Sequence, residues 1–292
     1  MDEHKEDTEA YIPSLGDYRD ALRGFDAAVC DAIAVGQAIS GRRASHRIGF
    51  GTHISTRITG HAQAMVRAAP LSRWVRSDFD AWDFCALAGH ARAIIEGVLL
   101  FHYLTDEPES DEEWSARINV MNLNDCTRRI QVLGGFGLTE EVAALEAQAE
   151  ELREELKANN WFVSLKEPLQ RKLLTGNWPT IQSRDEQLEK LGWDREHFYS
   201  MWNMLSQYTH VLPFSIYRTE PEGRGTGLLN DTDLSYCYMV LVACTGFMTE
   251  VTDKLLEWFP DAARARQGLA SKFSPGPKKN LPNHRRWRFL PF

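Results

Sequence analysis

The sequence predicts an all-α protein, a single bundle of about eight helices around two apolar helices. Apolar residues recur at helical spacing along most of the 292 residues, and no alternation of apolar and polar residues is long enough for a sheet. Glycine and proline separate the periodic segments. With 43% hydrophobic and 25% charged residues, the composition is that of a globular protein, which excludes disorder as the main state.

The first half of the chain predicts three long helices. The first covers residues 17–40, which carry one apolar stripe. Gly49 and Gly51 predict an irregular stretch, after which a second helix covers 53–69. The third covers 78–105, and because its apolar residues go almost all the way round, we expect it at the centre of the bundle.

The second half predicts further helices of different kinds. Residues 142–156 place apolar side chains at a 3,4 spacing for about two heptads, which predicts an outer helical hairpin arm or a dimer edge. A helix capped by Asp194 runs to about residue 212, and a second buried helix covers 232–259. A last short helix is expected over 261–273.

The net charge of −8 is distributed very unevenly. Residues 32–77 contain seven arginines and no acid, and residues 262–292 contain eight Lys or Arg and no acid, so the rest of the chain must carry −23 to give the total of −8. The chain is therefore an acidic body with two basic segments. We predict a flexible acidic N-terminus over 1–10, one domain over 11–273 and a basic aromatic tail over 274–292.

Location and cofactors are predicted mainly from missing signals. The first residues lack the basic and apolar regions of a secretion signal, and the most apolar run, 236–248, is too short for a membrane span. We therefore expect a cytoplasmic protein without membrane contact. The five cysteines are widely spaced, which predicts that they are core thiols. No long helix carries a Glu-x-x-His pair, the pattern of a metal site in a helical bundle. We therefore expect no cofactor and no metal.

One polar stripe on the third predicted helix carries candidate chemistry. Its members lie within about 20° of one line along the helix, at successive spacings of four and seven residues. One interpretation is an internal ion pair that fixes helix packing. The other is a charged pocket in which the arginine holds an anion and the glutamate acts as a base or binds a cation. The stripe consists of Arg92, Glu96 and Tyr103.

A second polar stripe lies on the helix that begins after Asp194. It is either a solvated or hydrogen-bonded helix face, or, if it faces Arg92 and Glu96, part of a site for phosphate or nucleic-acid chemistry. In that site His210 is the general acid or base and Arg92 stabilises negative charge. The stripe consists of Tyr199, Asn203, Ser206 and His210. The predicted catalytic residues are Arg92, Glu96, Ser206 and His210, and the predicted ligand-binding residues are Tyr103, Tyr199 and Asn203.

Two other segments have weaker signals. Residues 223–227 resemble a glycine-rich phosphate loop, but they lack a preceding strand and a Walker lysine, so we expect an ordinary flexible loop. The tail interleaves cations with aromatic rings, which predicts either docking on the acidic body or binding of single-stranded nucleic acid. Its predicted nucleic-acid-binding residues are Arg285, Arg286, Trp287 and Arg288.

The two polar helices also carry a family resemblance over about the middle two thirds of the chain. Together they resemble a bacterial all-helical family known only as a domain of unknown function, which implies a helical bundle and no established activity. The motifs are the aromatic residues Phe79, Trp82 and Phe84, then Arg92-x-x-x-Glu96, Phe101-His102-Tyr103-Leu104 and Leu205-Ser206-x-x-x-His210.

More distantly, the architecture is similar to helical ribonucleases of prokaryotic toxin and defence systems, which carry an Arg and a His on one helix with four to six residues between them. Arg47 and His53 have that spacing, but Gly49 and Gly51 lie between them. We therefore expect no continuous helix there and no such nuclease site.

Two functions remain open at this point, and whether the protein is an enzyme is undecided. The first is an internal Arg, Glu, Ser and His site that acts on or binds a phosphate-containing or nucleic-acid ligand. The second is a non-catalytic interaction protein that forms homo-oligomers or binds a partner through the 142–156 seam and the basic tail.

Overall fold

The computed structural model describes residues 12–217 and 224–275, and every regular element within these ranges is helical, which confirms the predicted all-α class. Two short 3-10 helices, Pro260–Ala265 and Gly268–Ala270, stand where a last α-helix was expected. The α-helices are α1 (Leu15–Ile39), α2 (His46–Ala68), α3 (Cys85–Thr105), α4 (Asp111–Gly135), α5 (Thr139–Ala158), α6 (Asn160–Ser164), α7 (Glu167–Leu174), α8 (Arg184–Leu191), α9 (Arg195–Thr209), α10 (Pro213–Ile216) and α11 (Asp231–Trp258).

The helices group into two compact units inside the range that the sequence treats as one domain. The first unit contains the described residues up to His102 and from Asp194 onward, and the second contains Tyr103–Trp193. The first boundary falls within α3, so no glycine-rich or proline-rich linker marks it in the sequence.

In the first unit, α11 packs against α1 and α2. The N-terminus of α1 is fixed by a capping box, in which Ser14 and Asp17 each satisfy a backbone N–H of the other. The residues of α11 between Thr232 and Thr252 are all buried or half-buried, as expected for the second apolar helix.

Two helices are long and apolar enough to cross a membrane, by length and composition alone. They are α3 and α11, and 44% and 50% of their most apolar windows are buried inside the protein. Core helices of globular proteins meet the same criterion. The 28 residues of α11 extend well beyond the apolar run 236–248, and they carry acidic residues in the first turn.

The predicted interruption near Gly49 and Gly51 is wrong, because α2 runs through both glycines. Ser45 caps the helix by accepting a hydrogen bond from the N–H of Ile48, and the N–H of Gly49 donates to the Ser45 carbonyl. A helical glycine costs only about 1 kcal/mol relative to alanine, which the packing of a long helix offsets. Arg47 and His53 therefore share one helix. Their offset of six residues places the two side chains about 240° apart around the helix axis, so they do not lie on one face.

The predicted start of α3 is also wrong, since the helix begins at Cys85 rather than near residue 78. The Asp83 carboxylate accepts a hydrogen bond from the Cys85 N–H and so marks the start. The preceding residues are irregular because their backbone groups bond elsewhere: Leu71 N–H donates to Asp80, and Trp82 N–H donates to the Gly227 carbonyl.

Burial of α3 is one-sided, whereas its composition predicts burial all round. One face is fully buried and contains Leu87, Ala91, Ile94 and Val98. The opposite face is half-buried or exposed and contains mostly small residues, namely Ala86, Gly89, Ala93 and Gly97. Polar side chains can therefore reach solvent along both edges of this face.

In the second unit, α4 and α5 form a hairpin whose apolar seam is closed within the chain. Leu145, Ala149, Leu152 and Leu156 of α5 are buried in a cluster with residues of α4 such as Leu123. This is the helical hairpin arm that the 3,4 spacing predicts. Its seam packs internally, and dimer formation remains a prediction.

A buried carboxylate on α1 anchors two irregular segments of the first unit. Asp26 accepts hydrogen bonds from Arg73 through both oxygens and from the indole N–H of Trp74, at 2.7 Å. Arg73 also donates to the Ser274 hydroxyl at 2.6 Å and to the Pro275 carbonyl. One ion pair thus fixes both the segment that precedes α3 and the last described residues to α1.

We expect Arg73→Ala to lower the free energy of unfolding by about 3–5 kcal/mol, because the buried Asp26 carboxylate loses its counter-ion. The matched control is Arg42→Ala, whose partner Asp261 is 61% exposed, so little change is expected. Urea denaturation followed by circular dichroism measures both. Similar losses in the two variants would show that Asp26 is not the anchor.

Candidate functional site

Three of the four predicted catalytic residues lie together in the first unit. Arg92 and Glu96 are on α3, one turn apart, and their side chains form an ion pair of 3.3 Å. His210 follows the last turn of α9, and its Nε2 atom lies 2.7 Å from Nη1 of Arg92. The two polar stripes predicted from the sequence therefore meet at these residues, and their catalytic role remains a prediction.

Trp202 of α9 completes the cluster, although it lies in the sequence on a stripe of apolar residues with Phe198 and Leu205, opposite the polar stripe. The guanidinium carbon of Arg92 lies 4.6 Å from the centre of the indole ring, in cation–π contact. The indole N–H donates to the Glu96 carboxylate at 3.0 Å. An indole offers both an apolar face and a donor, so its position among apolar residues hid its polar contact. The sequence signal that could have identified Trp202 was its position one helical turn before Ser206 of the polar stripe.

The hydrogen bonds around Arg92 leave some of its donors for a ligand. A guanidinium only donates, so Nε2 of His210 is the acceptor in this contact. Nε of Arg92 is buried and has no hydrogen-bond partner within the described part of the chain. Glu96 is 43% exposed, so the cluster opens to solvent on that side. This arrangement can accept an anion on the remaining N–H groups of the guanidinium.

Three other predicted site residues, Tyr199, Asn203 and Ser206, are not part of the cluster around Arg92. The Ser206 hydroxyl donates to the Trp202 carbonyl at 2.8 Å, a bond within α9. Asn203 is exposed, and the half-buried Tyr199 ring lies 5.9 Å from the guanidinium of Arg195. Neither of these two contacts involves Arg92.

Tyr103 belongs to the second unit, where its hydroxyl accepts a hydrogen bond from the Ile181 N–H at 3.1 Å. Burial raises the pKa of Tyr103 to about 12, so the phenol stays neutral at physiological pH. Its alignment with Arg92 along α3 does not make it part of the cluster, because α3 crosses the boundary between the units at that point.

The backbone at the end of α9 fixes the position of His210. Val211 adopts a left-handed conformation, with φ 53°, and the N–H of Leu212 donates to the Gln207 carbonyl at 3.0 Å. This is the hydrogen bond of a Schellman-type helix end, at which glycine is the usual left-handed residue. A β-branched residue in this conformation is strained, and it lies directly after His210.

Replacing Val211 by glycine should raise the free energy of unfolding by about 0.5–1 kcal/mol, since glycine removes the strain but loses more backbone entropy. Val75→Gly serves as the control, because Val75 is also exposed and non-helical but has no positive φ. Differential scanning calorimetry compares the two variants with the wild type. A loss of stability in Val211→Gly as large as in the control would contradict the strain.

Two histidines from different helices meet at a second polar contact in the first unit. Nδ1 of His61 on α2 lies 3.3 Å from Nδ1 of His90 on α3, and both rings are half-buried. Burial, and to a smaller degree the neighbouring His61, lower the pKa of His90. His90 could not be recognised from the sequence, because a contact between two helices leaves no spacing signal. Within the described residues there is no group of three or more His, Cys, Asp or Glu side chains that could hold a metal ion.

The lowered pKa of His90 predicts a loss of stability in acid. Its unfolded form binds protons more readily than its folded form, so stability should fall as the pH drops below about 6.5. We expect the Tm to decrease from about pH 7 to about pH 5 in buffer containing EDTA, and His90→Gln to reduce this decrease. His53→Gln, an exposed histidine on α2, is the control and should leave the pH dependence unchanged. Identical pH profiles for wild type and His90→Gln would contradict the prediction.

The glycine-rich loop has an internal role in its described part. Arg224 is buried, pairs with the Asp233 carboxylate at 2.8 Å and donates to the Tyr208 hydroxyl at 2.9 Å. The cation of this loop therefore anchors it to α11 and α9. Gly223 lies outside the described residues.

The predicted tail residues Arg285, Arg286, Trp287 and Arg288, and the acidic segment 1–10, also lie outside the described residues. The two alternatives for the tail therefore remain predictions.

No family model, no curated protein and no solved structure matches this chain. The resemblance to a helical domain family and to helical ribonucleases also remains a prediction.

Proposed function

We propose that the cluster of Arg92, Glu96, Trp202 and His210 binds a phosphate-containing ligand. Arg92 is the anion anchor, and His210 is the proton donor or acceptor. The observation that carries the proposal is the 2.7 Å contact between a guanidinium and an imidazole that come from separate helices.

The geometry around the guanidinium favours an oxyanion. The indole ring of Trp202 contacts one face of the Arg92 guanidinium, and the Glu96 carboxylate pairs with one of its edges. The guanidinium is therefore held in place before a ligand arrives. A planar guanidinium can donate two parallel hydrogen bonds to phosphate. Phosphate, with several oxygens, therefore fits this guanidinium better than an anion of a single atom does.

The charge of the cluster couples anion binding to a proton. Glu96 largely offsets the charge of Arg92, so the cluster is close to neutral while His210 is neutral. A proton on His210 adds a positive charge and removes the acceptor that Arg92 uses. An anion between the two side chains would then accept from both, which makes His210 suited to give a proton to, or take one from, a phosphate ester.

Ser206 has no chemical step in this proposal, because its hydroxyl donates to a carbonyl of its own helix. The seam of α5, on which the alternative interaction function depends, packs against α4 in the same chain. Ligand recognition in the first unit is therefore the better supported of the two functions.

The proposal predicts that Arg92→Gln and His210→Gln each weaken phosphate binding by about 10-fold or more, since a charged hydrogen bond contributes about 1.5–3 kcal/mol. Isothermal titration calorimetry with inorganic phosphate, a nucleoside monophosphate and a single-stranded oligonucleotide gives the affinities. Arg57→Gln is the matched control, because Arg57 is an exposed arginine on α2.

The same experiment separates a ligand site from a structural ion pair. If Arg92 serves the ligand, Arg92→Gln keeps nearly the wild-type Tm while it loses binding. Equal affinities for wild type and Arg92→Gln, or no binding of any of the three probes by the wild type, would contradict the proposal. A loss for the oligonucleotide that also appears in Arg57→Gln would indicate general attraction of polyanions instead.

A further inference from the structure

We propose that His61 and His90 together bind one divalent transition-metal ion, with zinc as the reference ion, through their Nδ1 atoms. The inference is independent of the proposed phosphate site. It rests on the distance between the two nitrogens, on the helices that hold them and on the chemistry of imidazole.

The distance fits two ligands of one metal ion. Zinc binds histidine nitrogen at about 2.0–2.1 Å in tetrahedral geometry, which places two ligand atoms about 3.3–3.4 Å apart. The Nδ1 atoms of His61 and His90 are 3.3 Å apart. The observed spacing is therefore that of two nitrogens on one ion, and it also fits a long hydrogen bond between the two rings.

The two histidines are held by long helices rather than by loops. His61 is in the interior of α2 and His90 in the first half of α3. A Cβ atom on Gly97 would lie 2.7 Å from Cγ1 of Ile58, so the missing side chain of this glycine lets the two helices approach closely two turns along α3 from His90. Ligands on rigid elements keep their spacing, which lowers the entropy lost on metal binding.

The surroundings fit an open site of modest affinity. Neutral imidazole is the form that binds metals. Both rings are half-buried, so water or an anion can reach an ion between them. Within the described residues no third histidine, cysteine or carboxylate joins the pair, which leaves coordination positions for such outside ligands. Imidazole prefers Zn²⁺, Cu²⁺ and Ni²⁺ over Mg²⁺.

The test is a metal titration of the full-length protein after removal of metals with EDTA. We expect Zn²⁺ to bind saturably at one ion per chain in calorimetry and to raise the Tm, and Mg²⁺ to do neither. Co²⁺ should give the visible absorption of a nitrogen-bound ion. His61→Gln and His90→Gln should each weaken Zn²⁺ binding by about 10-fold or more, in line with the loss of one of two ligands. His53→Gln, on the same helix, should bind like the wild type.

Nuclear magnetic resonance of the wild type gives a second readout that needs no variant to fold. Addition of Zn²⁺ should shift or broaden the imidazole signals of His61 and His90 before those of the other histidines. The proposal is overturned if Zn²⁺ shows no saturable binding, if the double variant of His61 and His90 still binds one ion with wild-type affinity, or if other histidines respond first. Each of these results would identify the pair as a hydrogen bond between two rings.

Discussion

The buried ion pair between Asp26 and Arg73 is the interaction on which the first unit depends. A carboxylate that is nearly inaccessible to solvent costs several kcal/mol unless it is paired and fully hydrogen-bonded. Arg73 and Trp74 satisfy it, and both come from the irregular segment between α2 and α3. The pair therefore fixes the path by which the chain leaves α2 and enters α3. Because α3 carries Arg92 and His90, the anchor on α1 also determines where the contacts of these two residues lie.

The half-open face of α3 explains how one helix supports two separate contacts. Gly97 allows Ile58 of α2 to approach, whereas a Cβ atom at Gly89 would lie at ordinary contact distance from Thr209 of α9. His90 and Arg92 are about 200° apart around the helix axis, so they point toward different neighbours. The contact with α2 is therefore made of two imidazoles, whereas the contact with α9 combines a guanidinium with an imidazole. A change at one contact need not alter the other.

Local sequence patterns predicted features that depend on a single helix, and they missed contacts that depend on two helices. The helical class and the α4–α5 hairpin follow from periodicity, and the stripes that contain Arg92 and His210 follow from spacing. The path of α2 through Gly49 was missed because packing outweighs the weak helix propensity of glycine. The role of His90 was missed because its partner is 29 residues away on another helix. Tyr103 was aligned correctly along α3, but the boundary between the units was not visible in the pattern.

A comparison of four arginines distinguishes a structural pair from one suited to a ligand. Arg73, Arg117 and Arg224 each pair with a carboxylate whose side chain is no more than 6% exposed, and each donates to at least one further oxygen. Such arginines are saturated, and any ligand would have to displace protein groups. Arg92 pairs instead with a carboxylate that is 43% exposed, and its second partner is an imidazole that can change its own charge. A guanidinium held by an aromatic ring and an imidazole, beside a half-exposed carboxylate, keeps donors for an incoming anion, which is why we propose the phosphate site at Arg92 rather than at the more deeply buried pairs.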